Sequence, residues 1–248
     1  MESIKQILAR MDTITLGEMD ACALMNRVDT KYVFDVGTFS EILEKVAPDY
    51  RVLSVTDSRF ASYENLYFDT PEHHCYFQHH NGKLNRHKCR VRRYVDSDLC
   101  FLEVKSKNNK GRTAKERVAI NRFEHTLSDS SREYVGQITG NESHWLPQMW
   151  SRFSRITLVS SPHLERATFD VDLNFSHNGS RREFPGIVIA EIKQQKRNRK
   201  SPLLQVMKRQ GLRETRISKY CLGCIALKPH LKHNRFKRKL NTINRIAS

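Results

Sequence analysis

The chain has 248 residues, enough for one large domain or two small ones and for a sizeable core. With 43 Lys+Arg against 27 Asp+Glu the formal charge is +16, which predicts polyanionic partners: nucleic acid, an anionic membrane surface, nucleotides or a phosphate polymer. No apolar run approaches the ~20 residues of a membrane helix, the N-terminus lacks a secretory signal, and six cysteines make no disulfide framework, so a reducing cytoplasm is expected.

In chain order, "GTFSEILEKVAPDY" predicts a helix, with Phe39, Ile42, Leu43 and Val46 on one face, Thr38 or Ser40 as cap and Pro48 as stop. "ENLYFDTPE" reads as a short strand ending in a turn, and "EHHCYFQHHNG" as a helical turn closed by Asn81-Gly82. Its histidines, His73, His74, His79 and His80, are expected to face water rather than hold a metal. From residue 86 the period becomes two. "RHKCRVRRYV", "CFLEVKSK" and "TAKERVAI" form a predicted antiparallel meander, with turns at "DSD" and "NNKGR". A partly helical stretch around "SREYVGQITG" follows, then strands at "SRFSRITLV", "ERATFDVDLNFS" and "GIVIAEIKQQ". A helix at "SPLLQVMKRQG" takes Ser201 as N-cap, Pro202 in its first turn and Gly211 as terminator.

Cys221 and Cys224 form a C-x-x-C, but no second ligand pair lies at zinc-finger spacing, and Cys89 and His87 add none; two half-buried thiols are expected. The organisation read is one α+β domain over 1–226 and a basic tail over 227–248. The tail contains "KPHLKHNRFKRKLNTINRIAS", without an acidic residue; it is either an arm for a polyanion or a solvated terminus.

Several strands place charge on a single face. Arg90 and Arg92 share one; Glu103, Lys105 and Lys107 another; Lys115 and Arg117 a third; Arg166, Thr168 and Asp170 a fourth; Glu191 and Lys193 a fifth. The apolar alternates Val91, Leu102, Val104, Val118, Phe169, Val171 and Ile192 suit a core. Two architectures fit: an open sheet with a wetted face, or a barrel whose charges converge on a lumen. A lumen of that kind needs counter-anions, namely a few carboxylates and a bound polyanion.

The ordered series "NRVDTKYVF", "YFDTPE", "RHKCRVRRY", "FLEVKSK", "KERVAI", "RFSRI", "RATFDVDLNF", "IAEIK" and "SKYCLG" resembles the VTC domain over about residues 23–224. This is the polyphosphate polymerase module of the triphosphate tunnel metalloenzyme superfamily. The resemblance implies an α+β fold: a closed antiparallel β-barrel, the triphosphate tunnel, with helices packed outside. It also implies phosphoryl transfer from ATP to a growing inorganic polyphosphate chain. Arg90, Arg92, Lys105, Lys115, Arg155, Arg166 and Lys219 would be catalytic, and Lys31, Arg117, Lys193 and Ser218 would bind substrate. Glu191, with Glu103, would hold Mn²⁺ or Mg²⁺. Glu103 has a second reading, as a structural ion-pair partner of a neighbouring arginine. The superfamily's E-x-E-x-K stands here as Arg27-x-Asp29-x-Lys31, which favours the VTC branch over thiamine-triphosphatase or class IV adenylyl-cyclase relatives.

The expected partners are ATP and inorganic polyphosphate. Because the SPX and transmembrane parts of yeast members are lacking here, membrane coupling is expected to come from a separate protein. The expected location is the cytoplasm, with the inner face of a membrane as a possible station. Two rival functions are a tripolyphosphatase or nucleoside triphosphatase on the same fold, and a non-catalytic polyanion or nucleic-acid binder. The second is disfavoured by the lack of an evident aromatic stacking set among the basic strands, so nucleic acid is expected only at the tail.

Overall fold

Alternation of apolar and charged residues builds one eleven-stranded sheet, antiparallel except where β1 pairs with β3. The computed structural model describes residues 1–21, 27–110, 113–140 and 144–247. The elements are α1 (Glu2–Arg10), β1 (Thr13–Ile14), α2 (Leu16–Ala21), β2 (Val28–Asp35), α3 (Val36–Val46), β3 (Arg51–Leu53), β4 (Ala61–Asp69) and α4 (His74–His80). The meander follows as β5 (Arg86–Tyr94), β6 (Leu99–Lys107) and β7 (Thr113–Ile120). Then come α5 (Asp129–Thr139), β8 (Leu146–Ser160), β9 (Glu165–His177), β10 (Ser180–Phe184), β11 (Ile187–Gln194), α6 (Pro202–Arg209), α7 (Lys219–Leu227) and α8 (Lys237–Ala247).

The main path through the sheet is β2-β11-β9-β8-β4-β5-β6-β7, with β10 paired to β9, and β3 joining β8 to the short β1. It curves until β2 and β6 approach across the concave side, near enough for Lys31 and Asp29 to act on the charge of Lys105. Among the described residues no backbone pairing joins β2 to β7, so the ladder of the cylinder stays open there. Bulges interrupt β8/β9 between Arg152 and Ser154 and β4/β8 between Tyr67 and Phe68. The turn read at 108–112 reaches Gly111 and Arg112, which lie outside the described residues, as does Asn26 of the first quoted motif.

The convex face carries the apolar alternates. Phe169, Val171, Ala190 and Ile192 pack on Ile4 and Leu8 of α1, Phe39, Ile42 and Leu43 of α3, and Leu203 and Met207 of α6. Val91, Leu102 and Val104 pack with Leu127, Val135 and Trp145, near α5. Val118, on the edge strand β7, differs from expectation: it is 38% exposed, because β7 has a neighbour on one side only. α3 is capped by Asp35, whose side chain accepts from the Thr38 amide, rather than by Thr38 or Ser40; such a cap contributes about 1 kcal/mol. Ser201 and Pro202 begin α6 as the sequence implies.

Not every helix packs outside. Met149 stands opposite Tyr67, which stands opposite Arg90, so Met149 shares the face of the arginines. Phe175 joins that face through Ser151, Asn65 and Arg92. α7 lies against both residues: a Cβ on Gly223 would overlap Met149 Sδ and fall 2.7 Å from Phe175 Cδ1. Tyr220 of α7 also stacks on Tyr67. The concave side therefore has two zones, a charged one and an apolar one that α7 fills.

The basic tail is folded onto the same body. Leu231, Phe236 and Ile243 are buried in the core that contains α7, and Lys228 Nζ donates to Gln148 Oε1 at 2.6 Å. The cationic residues hid an amphipathic helix, α8, that contacts β2 and β11. The histidines of α4 also differ from expectation. Only His74 is exposed; His80 is buried and hydrogen-bonded to Asn234 at 2.8 Å. Cys221 and Cys224 are fully buried rather than half-buried.

Candidate active site

The concave rows are fixed by register. Lys88, Lys105 and Lys115 stand directly opposite one another on β5, β6 and β7, and Arg90, Glu103 and Arg117 form the next row. Lys31 faces Glu191, which faces Thr168; Asp29 faces Lys193, which faces Arg166. Arg155 faces Asp170. Period two thus places the expected site residues of the strands on one face. Lys219 and Ser218 arrive separately, at the N-terminus of α7, where Ser218 caps the helix.

Three carboxylates organise the cations. Glu103, only 2% exposed, accepts from Arg90 Nε at 2.8 Å and Nη2 at 2.5 Å, and Lys115 Nζ lies 2.5 Å from its other oxygen. Arg92 stands 3.9 Å away and donates to Asn65 Oδ1 at 2.8 Å. Burial would raise the Glu103 carboxyl; Arg90, Arg92 and Lys115 instead hold it well below the usual range. Asp170 accepts two bonds from Arg155 and one from Lys219, and these cations outweigh burial to keep it ionised. Glu191 is held low in the same way by Lys31, at 3.3 Å, and Lys193.

The lysines show the opposite stress. Burial pushes Lys88, Lys115 and Lys219 down to about 8, and Glu103 and Asp170 only partly offset it for the latter two. Lys105 and Lys193 are lowered too, again chiefly by burial. Yet Lys105 is exposed to solvent.

Aromatic rings separate the arginines. Tyr63, Tyr94 and Phe153 form one row across β5, β4 and β8. Arg92 and Arg155 each lie 4.9 Å from the Tyr63 ring centre, Arg117 lies 4.9 Å from Phe101, and Lys219 lies 4.4 Å from Phe153. Sequence reasoning missed this set because the pairing register assembles it from separate segments.

All of the residues expected from the sequence lie on this concave face or at the mouth of α7. Arg166 sits beside Lys193 at the far end of the row. Glu103 behaves as the ion-pair anchor of Arg90 and Lys115, in line with its second reading. Lys88, Asp29 and Asp170 share this face without being among the expected site residues, although all three alternate in step with residues that are. Among the described residues no cluster of three His, Cys, Asp or Glu is arranged to hold a metal. Glu191 offers one carboxylate with Asp29 diagonal to it, but its two oxygens face Lys31 and Lys193 and Asp29 is paired with Arg27, so a divalent ion would have to displace these cations. That donor set suits a hard divalent ion that takes its other ligands from water and phosphate, rather than one caged by protein.

The VTC domain profile matches residues 26–228. The chain belongs to the VTC domain family. Among solved structures, this VTC domain is similar to an adenylate cyclase candidate from Bacillus halodurans, with TM-score 0.51, 11% identity, and coverage of 78% of this chain and 94% of the other. It is also similar to an adenylyl cyclase candidate from Hippeastrum described as having a dominant triphosphatase activity (TM-score 0.49, 14% identity, 85% and 100% covered). A third is an adenylate cyclase candidate from Vibrio parahaemolyticus (TM-score 0.47, 16% identity, 79% and 97% covered). A comparison with curated protein sequences gave no match. At such identity the first likeness shows the fold alone, the triphosphate tunnel. Among the described residues no helix is long and apolar enough to cross a membrane.

Proposed function

We propose that this VTC domain transfers the terminal phosphoryl group of ATP to the end of an inorganic polyphosphate chain held in the charged zone of the barrel. The observation that carries this reading is the charge of the concave face. Lys31, Lys88, Arg90, Arg92, Lys105, Lys115, Arg117, Arg155, Arg166, Lys193 and Lys219 are set against Asp29, Glu103, Asp170 and Glu191. So uneven a set repels itself in a confined space, and a polyanion relieves it.

Arg90, Arg92, Arg155 and Arg166 would grip non-bridging oxygens with planar guanidinium groups. Lys31, Lys105, Lys115, Lys193 and Lys219 would act as point charges along the chain, with Arg117 at the edge strand and Ser218 at the mouth of α7. A terminal oxygen of the acceptor attacks the γ-phosphorus, the bond to the β,γ-bridging oxygen breaks, and ADP leaves. No protein nucleophile is required; alignment and charge neutralisation lower the barrier. Glu191 would hold a divalent ion, Mn²⁺ or Mg²⁺, which when bound neutralises charge between donor phosphates.

A second reading, hydrolysis of tripolyphosphate or nucleoside triphosphate, gains support from α7, since a lumen filled at one end suits water as acceptor. A cytoplasmic setting and a separate membrane protein as partner remain part of the proposal, with ATP and polyphosphate as ligands. Nucleic acid is proposed only at the exposed basic residues of α8: Tyr63, Phe101 and Phe153 do lie among the basic strands, but Arg92, Arg155, Arg117 and Lys219 already stand over those rings. The test is Glu191→Gln and Arg92→Ala, assayed for ATP-dependent polyphosphate formation alongside melting temperature. Loss of activity with the fold retained is expected; full activity in both variants rejects the assignment.

A further inference from the structure

The row Lys88, Lys105 and Lys115 is unusual within the ladder. Like charges directly opposite each other destabilise a sheet, yet here three lysines are consecutive cross-strand neighbours. Lys115 has Glu103. Among the described residues Lys88 and Lys105 have no carboxylate within ion-pair distance; Lys88 Nζ donates to Ser218 Oγ at 2.9 Å and is crowded by Lys31 and Lys105. Ser218 in turn caps α7, so Lys88 stands where the capped N-terminus of that helix meets the charged zone.

Just past this point the concave face changes character. Met149, Phe175, Leu173, Ile187 and Ile189 are buried together with Tyr220, Leu222 and Cys224 of α7. Gly223 leaves no room even for a methyl group beside Met149 and Phe175. Lys88 therefore stands at the boundary between the lysine row and the apolar body of α7.

We propose that Lys88, with Lys105 and the Ser218 end of α7, forms a terminal subsite that receives the free end of an oligophosphate. This rests on the reading of the lumen as an oligophosphate site and deepens it: the ligand class is an anion with an unesterified terminal phosphate. A chain capped at both ends cannot place a doubly charged terminus against α7.

The experiment is calorimetric titration of the full chain and of Lys88→Met with inorganic tripolyphosphate, ATP and diadenosine triphosphate, without turnover metal. The intact protein is expected to bind tripolyphosphate at least tenfold more tightly than diadenosine triphosphate. Lys88→Met is expected to lose tenfold or more for tripolyphosphate and to lose that preference. An equal loss for ATP assigns the subsite to any free terminal phosphate; a loss for tripolyphosphate alone assigns it to inorganic chain ends; either supports the proposal. A second readout uses proteins labelled with ¹³C at lysine Cε. The Lys88 resonance, identified by its absence in both Lys88→Met and Lys88→Arg, should shift on saturation with tripolyphosphate. Unchanged affinity, an unmoved Lys88 resonance in the saturated protein, or undiminished preference in the variant overturns the subsite. Failure of the intact protein to bind any of the three ligands overturns the proposed function as well, which separates the two failures.

Discussion

Arg155 and Asp170 form a bidentate pair across β8 and β9: Nε donates to Oδ1 at 2.6 Å and Nη2 to Oδ2 at 2.9 Å, with Lys219 on the same carboxylate. Asp170 is 3% exposed, and its two cations belong to different elements, so one buried charge ties the strand wall to α7. Removing a partner from such a buried set costs about 3–5 kcal/mol. Asp170→Asn should therefore lower the unfolding free energy by that order, and the urea midpoint with it. Because the defect is uncompensated positive charge, tripolyphosphate should restore part of the loss; urea titration with and without ligand checks both parts.

Tyr63 is the next test. Its ring is 4.9 Å from the guanidinium carbons of both Arg92 and Arg155 and stacks on Phe153. It keeps two cations near each other at lower cost than water-poor space alone would allow. Tyr63→Phe retains the ring and should keep nearly full triphosphate affinity. Tyr63→Leu should weaken it about tenfold, on the order of 1.4 kcal/mol, with little change in melting temperature.

Gly223 tests the position of α7. Adding a methyl group there forces it into Met149 and Phe175, and overpacking of this kind costs about 1–3 kcal/mol. Gly223→Ala should lower stability and, by displacing Ser218 and Lys219 at the start of the helix, weaken anion binding as well. Retention of both properties would show that α7 does not sit against the concave face.

The pH dependence follows from Lys88. Burial, with Lys31 and Lys105 nearby, lowers it to about 8, against about 10.4 in an unfolded chain. Between those values the unfolded state holds a proton that the folded state has released, so this group adds stability as pH rises, and its charge is a cost below pH 8. Lys88→Met should thus stabilise the ligand-free protein at pH 7, with the gain fading between pH 8 and 10. The buried thiols of Cys75, Cys89 and Cys224 are raised by burial and act oppositely above their ordinary range. The difference between variant and parent is therefore what urea titrations at pH 7 and 9.5 should compare.

Much of the charged wall was legible because a strand repeats every two residues and one side of each strand is ionic. Residues 86–120 gave three strands nearly to the residue. Strand β10, "SRREF", has charged or polar residues at both parities, since it lies at an edge beside β9. Helix α7, "KYCLGCIAL", is buried on nearly every side, so it offers no amphipathic period to read. The same burial hid the closure of the lumen. Lys88 belongs to the alternation Arg86, Lys88, Arg90, Arg92 and could have been taken from it, but its lysine neighbours on β6 and β7 depend on register. The tail misled for a different reason: its frequent cations conceal Leu231, Phe236 and Ile243, which anchor it.

The most direct test is to incubate the full chain with ATP, Mn²⁺ and a short polyphosphate primer, then size the phosphate products on a gel while measuring ADP and orthophosphate. The account predicts lengthening chains with matching ADP and little orthophosphate. Orthophosphate released without any longer chain, or ATP left untouched, would contradict it.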